Sequence, residues 1–302
     1  MVASLLVSVV LLGFKLSALK RLVPVNQRRT ELKAALVLLQ PKVEAEKLDA
    51  WLADVEHDAK QREDRIAAMD SAAGRKYSTL ETEVLAKGAD MFAVFEASAA
   101  SAKQLTHSPL ITCSETKLDE ATGLLLGRAA AMVRANPQEI AANMLNYDSR
   151  FIQSTIDPTV FVRSEVVEHF NAHHTIVFSR LKLGAGLSHR TFLNSGVAKQ
   201  VADDPPTYEV VVLPIAQHDK VTPKDEKGAV RAENCRAWKL TEVAEGITKM
   251  EYACSLSLGG SIPQAITNKV SVPGQMHGTA PPSAVARLPT MFASRDDCAR
   301  TD

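Results

Sequence analysis

No Cys-x-x-Cys occurs in the chain, and its four cysteines (Cys113, Cys235, Cys254 and Cys298) lie far apart. Zinc sites usually present closely spaced cysteine pairs, so the spacing argues against a structural metal. A chain of this length does not need a disulfide framework, and the consistent reading is reduced thiols in a cytosolic protein. Net charge is also missing, because 35 Lys+Arg meet 35 Asp+Glu, and this leaves no bulk field to recruit nucleic acid. Equally absent are a Gly-x-Ser-x-Gly elbow, a glycine-rich phosphate loop and His-Glu-x-x-His. The common signatures of hydrolase, nucleotide and zinc-peptidase chemistry are thereby removed, though not an enzyme built inside a cavity.

Near the start of the chain, Val2 to Phe14 is a run of thirteen predominantly apolar residues without a charge. As a helix it would reach about 20 Å against a hydrocarbon core of roughly 30 Å. Extended to Leu19 it becomes a marginal span, with Lys15 snorkelling toward the interface. Lys15, Lys20, Arg21, Arg28 and Arg29 follow it with no acidic residue before Glu31. Basic flanks favour the cytosolic side of a membrane, so residues 1–29 are expected to form a hydrophobic membrane anchor. A helix cut from a larger upstream domain is the competing expectation.

Residues 30–77 read as a helical stalk or linker. Leu48, Leu52, Val55, Ala59, Arg62, Ile66 and Met69 recur at alternating spacings of four and three, the coiled-coil interval, but Ala59 and Arg62 are weak seam positions. The pattern from Leu48 to Met69 predicts a docking helix ahead of a dimer, and Ser71 to Gly74 reads as the connection onward.

The main domain is expected over residues 78–290, with a disordered tail at 291–302. Thr79 to Lys103 has helical periodicity, and after Pro109 the period changes to two, with strands over Leu110–Thr116 and Thr122–Ala135. Asn136-Pro137-Gln138-Glu139 combines a capping side chain, a first-turn proline and a returning carboxylate, and so starts a helix whose buried face is Ile140, Met144 and Leu145. Another short element over Val162–Phe170 leads into His173–Leu193. There Thr175 to Phe178 favours a strand, Gly184 and Gly186 a turn, and Ser188 a cap. Thr207 to Ile215 is a near-continuous apolar strand, with Pro214 placing its end at an edge or bulge. Val230–Leu240 and Thr248–Leu258 are two more strands, the second alternating cleanly. Ser261-Ile262-Pro263-Gln264 starts a final helix that Pro273 stops.

The blocks NPQEIAANMLNYDSR (136–150), EVVEHFNAHHTIVFSRLKL (165–183), LSHRTFL (187–193), YEVVVLPI (208–215), VRAENCRAWKL (230–240) and MEYACSLSLGGSIP (250–263) arrive in one order. In that order they resemble the START (StAR-related lipid-transfer) domain family. The resemblance implies an α+β helix-grip fold, an antiparallel sheet wrapped around a C-terminal helix. Between sheet and helix it implies a hollow for a single lipid or sterol, with no catalysis, cofactor or metal. Two departures stand out. Arg190-Thr191-Phe192 lacks the acidic residue the family commonly carries after the arginine, and the final helix ends early.

For a polar handle in such a hollow the strand parity of Arg128 with Leu124, Leu126 and Met132 points inward, where an unpaired charge would need a partner, and a bulge that flips it outward is the competing and stronger expectation. The expected wall comprises Met132, Phe178, Val212, Trp238, Met250, Tyr252, Cys254, Leu256 and Ile266. His169 and His173 are four apart near Glu165 and Glu168, but Asn171 and the next strand separate them, so no metal site is expected. Two other readings remain open at this level. One is a cyclase-like helix-grip enzyme using Asp148, His174 or Tyr252 as acid or base. The other is a filled-core regulatory module that meets a protein partner through the helices before residue 70.

Overall fold

The computed structural model describes residues 45–71, 74–96, 103–105, 111–120, 122–149, 161–183, 187–265 and 267–268. The expected anchor at 1–29, most of the final helix and the tail at 291–302 lie outside the described residues. No helix among the described residues is long and apolar enough to cross a membrane.

One antiparallel sheet organises the chain. Its strands are β1 (Lys103–Gln104), β2 (Ile111–Leu118), β3 (Leu125–Val133), β4 (Phe161–Asn171), β5 (His174–Leu181), β6 (His189–Asp203), β7 (Pro206–Pro214), β8 (Ala229–Arg231), β9 (Glu233–Ala244) and β10 (Ile247–Ser257). The spatial order is β1-β2-β3-β10-β9-β7-β6-β5-β4, with β8 running parallel beside β6. The short element expected at 162–170 is therefore an eleven-residue edge strand. The strand expected at 230–240 is split at Ala232, whose amide turns to the Thr191 carbonyl. β7 lies in the middle of the sheet, as its apolar run requires. Pro214 is not at an edge or a bulge. It is the last residue of β7 and is paired only with Asn194 of β6, beyond the end of the β9 ladder, so its missing amide interrupts nothing.

Helices cover both faces. Helix α1 (Ala45–Ser71) and helix α3 (Pro137–Met144) lie on one side, and helix α2 (Thr79–Glu96) lies on the other. A one-turn helix α4 (Pro223–Glu226) closes the loop before β8. The cap read at Asn136 to Glu139 is formed, with Pro137 in the first turn. The α3 face buries Ile140, Met144, Leu145, Val210, Leu240 and Met250 in one cluster. The α2 face buries Val84, Leu85 and Met91 against Val197, Val211, Ala237 and Ala253. The stretch expected as a stalk contributes α1, which is docked. Met69 enters the α3-side cluster, Arg65 donates to the Ala172 carbonyl at 3.2 Å, and the Ser149 hydroxyl donates to Asp58 at 2.7 Å.

The start of α2 is pinned by a buried carboxylate. Glu81 accepts from Arg75 Nη2 at 2.7 Å, from the Ser78 amide at 2.8 Å and from Asn171 Nδ2 at 3.1 Å, while its own amide bonds Ser78 Oγ. This reciprocal Ser78–Glu81 pair is a capping box, legible in Ser-Thr-Leu-Glu, that sequence reasoning passed over. Burial pulls the carboxyl up, but Arg75, Ser78 and Asn171 together hold it at about 2. His174 lies beside it, Nδ1 at 3.5 Å from Oε1, and bonds Ser195 Oγ at 2.9 Å. His173 sits in the adjacent turn against Tyr77 and the Ala198 carbonyl.

Burial, above all, lowers both histidines below their ordinary 6.5. The unfolded chain therefore takes up protons first as pH falls, so their contribution is complete above about 6.5 and is lost below it. Glu81 behaves separately: its contribution persists to lower pH and is lost between about 4.5 and 2. We expect the urea midpoint to fall steadily from pH 7 to pH 5. A midpoint unchanged over that interval would show that neither histidine is neutral and buried.

Candidate functional site

Direct cross-strand neighbours project to the same face of a sheet, so the register of pairing builds the site. One row on the α3 face runs Ala129, Tyr252, Trp238, Val210 and Ala198. The next runs Gly127, Cys254, Arg236, Val212, Gly196 and Thr175. A third brings Ala131, Met250, Leu240 and Tyr208 together. Trp238 stacks on Tyr252 with ring centroids 5.1 Å apart, and Leu256 stands opposite Asn234. On the β3 side these rows carry only Gly127, Ala129 and Ala131, so the aromatic and sulfur side chains of β10 rise above their neighbours there. Gly196 is small for a reason. A Cβ there would come within 3.2 Å of Leu145, which packs over it.

Of the ten residues expected around the hollow, the nine wall positions and Arg128, six share this face: Val212, Trp238, Met250, Tyr252, Cys254 and Leu256. Ile266 lies outside the described residues. The other three lie on the opposite face. Arg128 and Met132 do share a parity, but it is that of Glu115, Lys249 and Glu251, on the α2 face. There Arg128 pairs with Glu251 at 3.0 Å and Glu115 at 3.6 Å, so its charge is answered within the protein. Phe178 is opposite Leu193 and packs with Ile176 on that same opposite side.

Sequence reasoning missed the charge that the α3 face does carry. Arg236 is 7% exposed, and its guanidinium lies 5.8 Å from the centre of the Trp238 ring. It forms no hydrogen bond or ion pair among the described residues, and its Nε is buried without a partner. The Oδ1 atoms of Asn194 and Asn234, on the same face, are likewise buried and unsatisfied. Arg190 makes the contrast. It is also buried, but it donates to the carbonyls of Ser188, Leu258 and Gly259. The available signal was period two: Arg236 precedes Trp238 by two residues and so must point the same way.

The titratable neighbours are held in their neutral forms. Burial pushes the Cys254 thiol up to about 12 and the Tyr252 phenol well above its ordinary 10, and it also raises Tyr147. Arg236 opposes all three shifts without reversing them. Groups in this state donate and accept hydrogen bonds but are poor bases near neutrality. The three residues weighed for acid–base work do not converge. Asp148 pairs with His169 at 3.2 Å on the exposed β4 side, and that bond is the main reason its carboxyl lies below the ordinary range. His174 is on the α2 face beside Glu81, and Tyr252 is on the α3 face. His169 and His173 do not meet as ligands, and no group of three metal-ligating side chains occurs among the described residues.

The sheet order, with helices on both faces, defines an α+β START-like helix-grip fold. Among solved structures the chain is similar to human StAR-related lipid transfer protein 5, with a TM-score of 0.50 and 13% identity over 65% of this chain and 90% of that one. It is similar to human STARD10 with a TM-score of 0.50 and 12% identity, over 66% of this chain and 77% of that one. The lipid transfer and protein localization domain of human StarD13 aligns with 72% of this chain and 99% of that one, at 20% identity and a TM-score of 0.49. Comparison with protein-family models and with curated proteins found no match.

Proposed function

We propose that this protein binds a single lipid against the α3 face of its sheet and carries it without chemical change. The observation that supports this best is the chemistry of that face. Trp238, Met250, Tyr252, Cys254, Leu256 and Val212 form an apolar surface interrupted by a few polar groups, and its thiol and phenols are neutral. Apolar walls with a small number of orienting polar groups are what a lipid site needs, and no acid–base pair is assembled there to act on the ligand. The START-like fold supports the same reading, since the similar human protein is described as a lipid transfer protein.

The purified chain, stripped of lipid and incubated with liposomes of mixed composition, is expected to take up one lipid per protein by native mass spectrometry. It should also release that lipid to acceptor liposomes. No uptake from any composition would overturn the proposal.

A further inference from the structure

We propose that Arg236 anchors the polar end of the ligand and that this end is an oxyanion, a carboxylate or a phosphate. The inference rests on the lipid-binding reading and specifies the lipid class. A charged side chain is costly to leave unpaired within an apolar face, and a buried guanidinium normally lies against a carboxylate or a set of carbonyls. Arg128 and Arg190, also on the sheet, follow that rule: Arg128 has Glu251 and Glu115, and Arg190 has four backbone carbonyls. Arg236 does not. Its row neighbours are Cys254 and Val212, and its strand neighbours on the same face are Asn234 and Trp238, none of them an acid.

The groups around it are arranged to receive a head group. Asn234 is two residues away on β9, and Asn194 belongs to the row that Pro214 shares, one step along the sheet. The Oδ1 atoms of both are buried without a donor, and as acceptors they suit a hydroxyl carried beside the oxyanion, not the oxyanion itself. A planar fork with five N–H donors matches a carboxylate or phosphate through two parallel hydrogen bonds, and withdrawal from water strengthens such pairs. The ligand's apolar part would then run over Trp238, Tyr252 and Met250. A neutral hydroxyl, as in a sterol or a fatty alcohol, would leave the positive charge uncompensated.

The test compares oleate, dioleoylphosphatidate and oleyl alcohol, the last having oleate's chain and no charge, on the full chain and on Arg236→Met and Arg236→Lys. The native chain is expected to bind oleate or the phosphatidate at least tenfold more tightly than oleyl alcohol, and the one preferred identifies the oxyanion. Arg236→Met should lose that preference while binding oleyl alcohol no less well, and without ligand its Tm should equal or exceed that of the native chain. Arg236→Lys, which keeps the charge but not the fork, should fall between. With carboxyl-labelled oleate, the bound carboxyl signal should stay ionised to lower pH in the native chain than in the methionine variant.

Native protein that takes up oleyl alcohol as tightly as both anionic lipids would overturn this inference and leave lipid binding standing. Native protein that takes up none of the three lipids, nor any from mixed liposomes, would overturn both. Should the methionine variant fail to fold, the native preference and the lysine variant decide the question alone.

Discussion

Glu81→Ala is expected to lower the unfolding free energy by about 3 kcal/mol, the largest loss from any single side chain outside the apolar clusters. Removing one member of a buried ion pair leaves the other charge with its desolvation cost. The range is roughly 3–5 kcal/mol, and it is reached at the low end here because Arg75 is itself 22% exposed and can turn to water. The same substitution deletes the capping contact to the Ser78 amide, about 1 kcal/mol by itself, and orphans Asn171 Nδ2. Glu81→Gln keeps the shape and some of the hydrogen bonds and should lose less. Equilibrium urea unfolding is the measurement, read as a fall in midpoint at constant slope. A Glu81→Ala protein within 1 kcal/mol of the native chain would show that the carboxylate is not what fixes the start of α2.

Gly88→Ala should also destabilise, against the ordinary preference of helices. Alanine in a helix interior gains roughly 1 kcal/mol over glycine. A Cβ at this position, however, would sit 2.3 Å from one methyl of Val211 and 3.0 Å from the other. Val211 is 1% exposed on a central strand and has nowhere to retreat, so α2 must lift from the sheet. Overpacking of this kind costs about 1–3 kcal/mol, and the expected net loss is about 1–2 kcal/mol. Pairing it with Val211→Ala supplies the sharper readout. The double variant should be more stable than the sum of the two single changes predicts, because the clash is shared. Strict additivity would mean that the helix and strand do not meet at this point.

What could be read from the sequence was what depends on neighbours in the chain. The continuous apolar run of β7 implied a strand covered on both sides, and the alternation of Met250, Tyr252, Cys254 and Leu256 put those four on one face. The start of α3 was written in Asn136, Pro137 and Glu139. Parity alone does not say which face is which, and β3 shows why. Its even positions carry the larger residues Leu126 and Met132, so the hollow seemed to lie on their side. The α3 face is instead lined by Gly127, Ala129, Ala131 and Val133, since the bulk there comes from β9 and β10 across the register. Arg128 was carried to the wrong face by that inversion. Arg236 was overlooked because its flanking residues on the opposite face, Cys235 and Ala237, are a thiol and a methyl, so no polar-out alternation marked it. The Gly88–Val211 contact depends on two residues more than a hundred positions apart, and nothing local could reveal it.

The docking of α1 changes where the folded unit begins. A chain started at residue 78, where the sheet-and-helix pattern first becomes recognisable, would lack Met69 from the α3-side cluster, and Arg75 and Tyr77, which bond Glu81 and the Ala198 carbonyl. Water would then reach the backbone carbonyls of Ala172 and Ala198 that Arg65 and Tyr77 now cover, and Glu81 would lose its nearest cation. The segment ahead of the sheet thus acts as a clasp, touching one face through Met69 and the other through Tyr77.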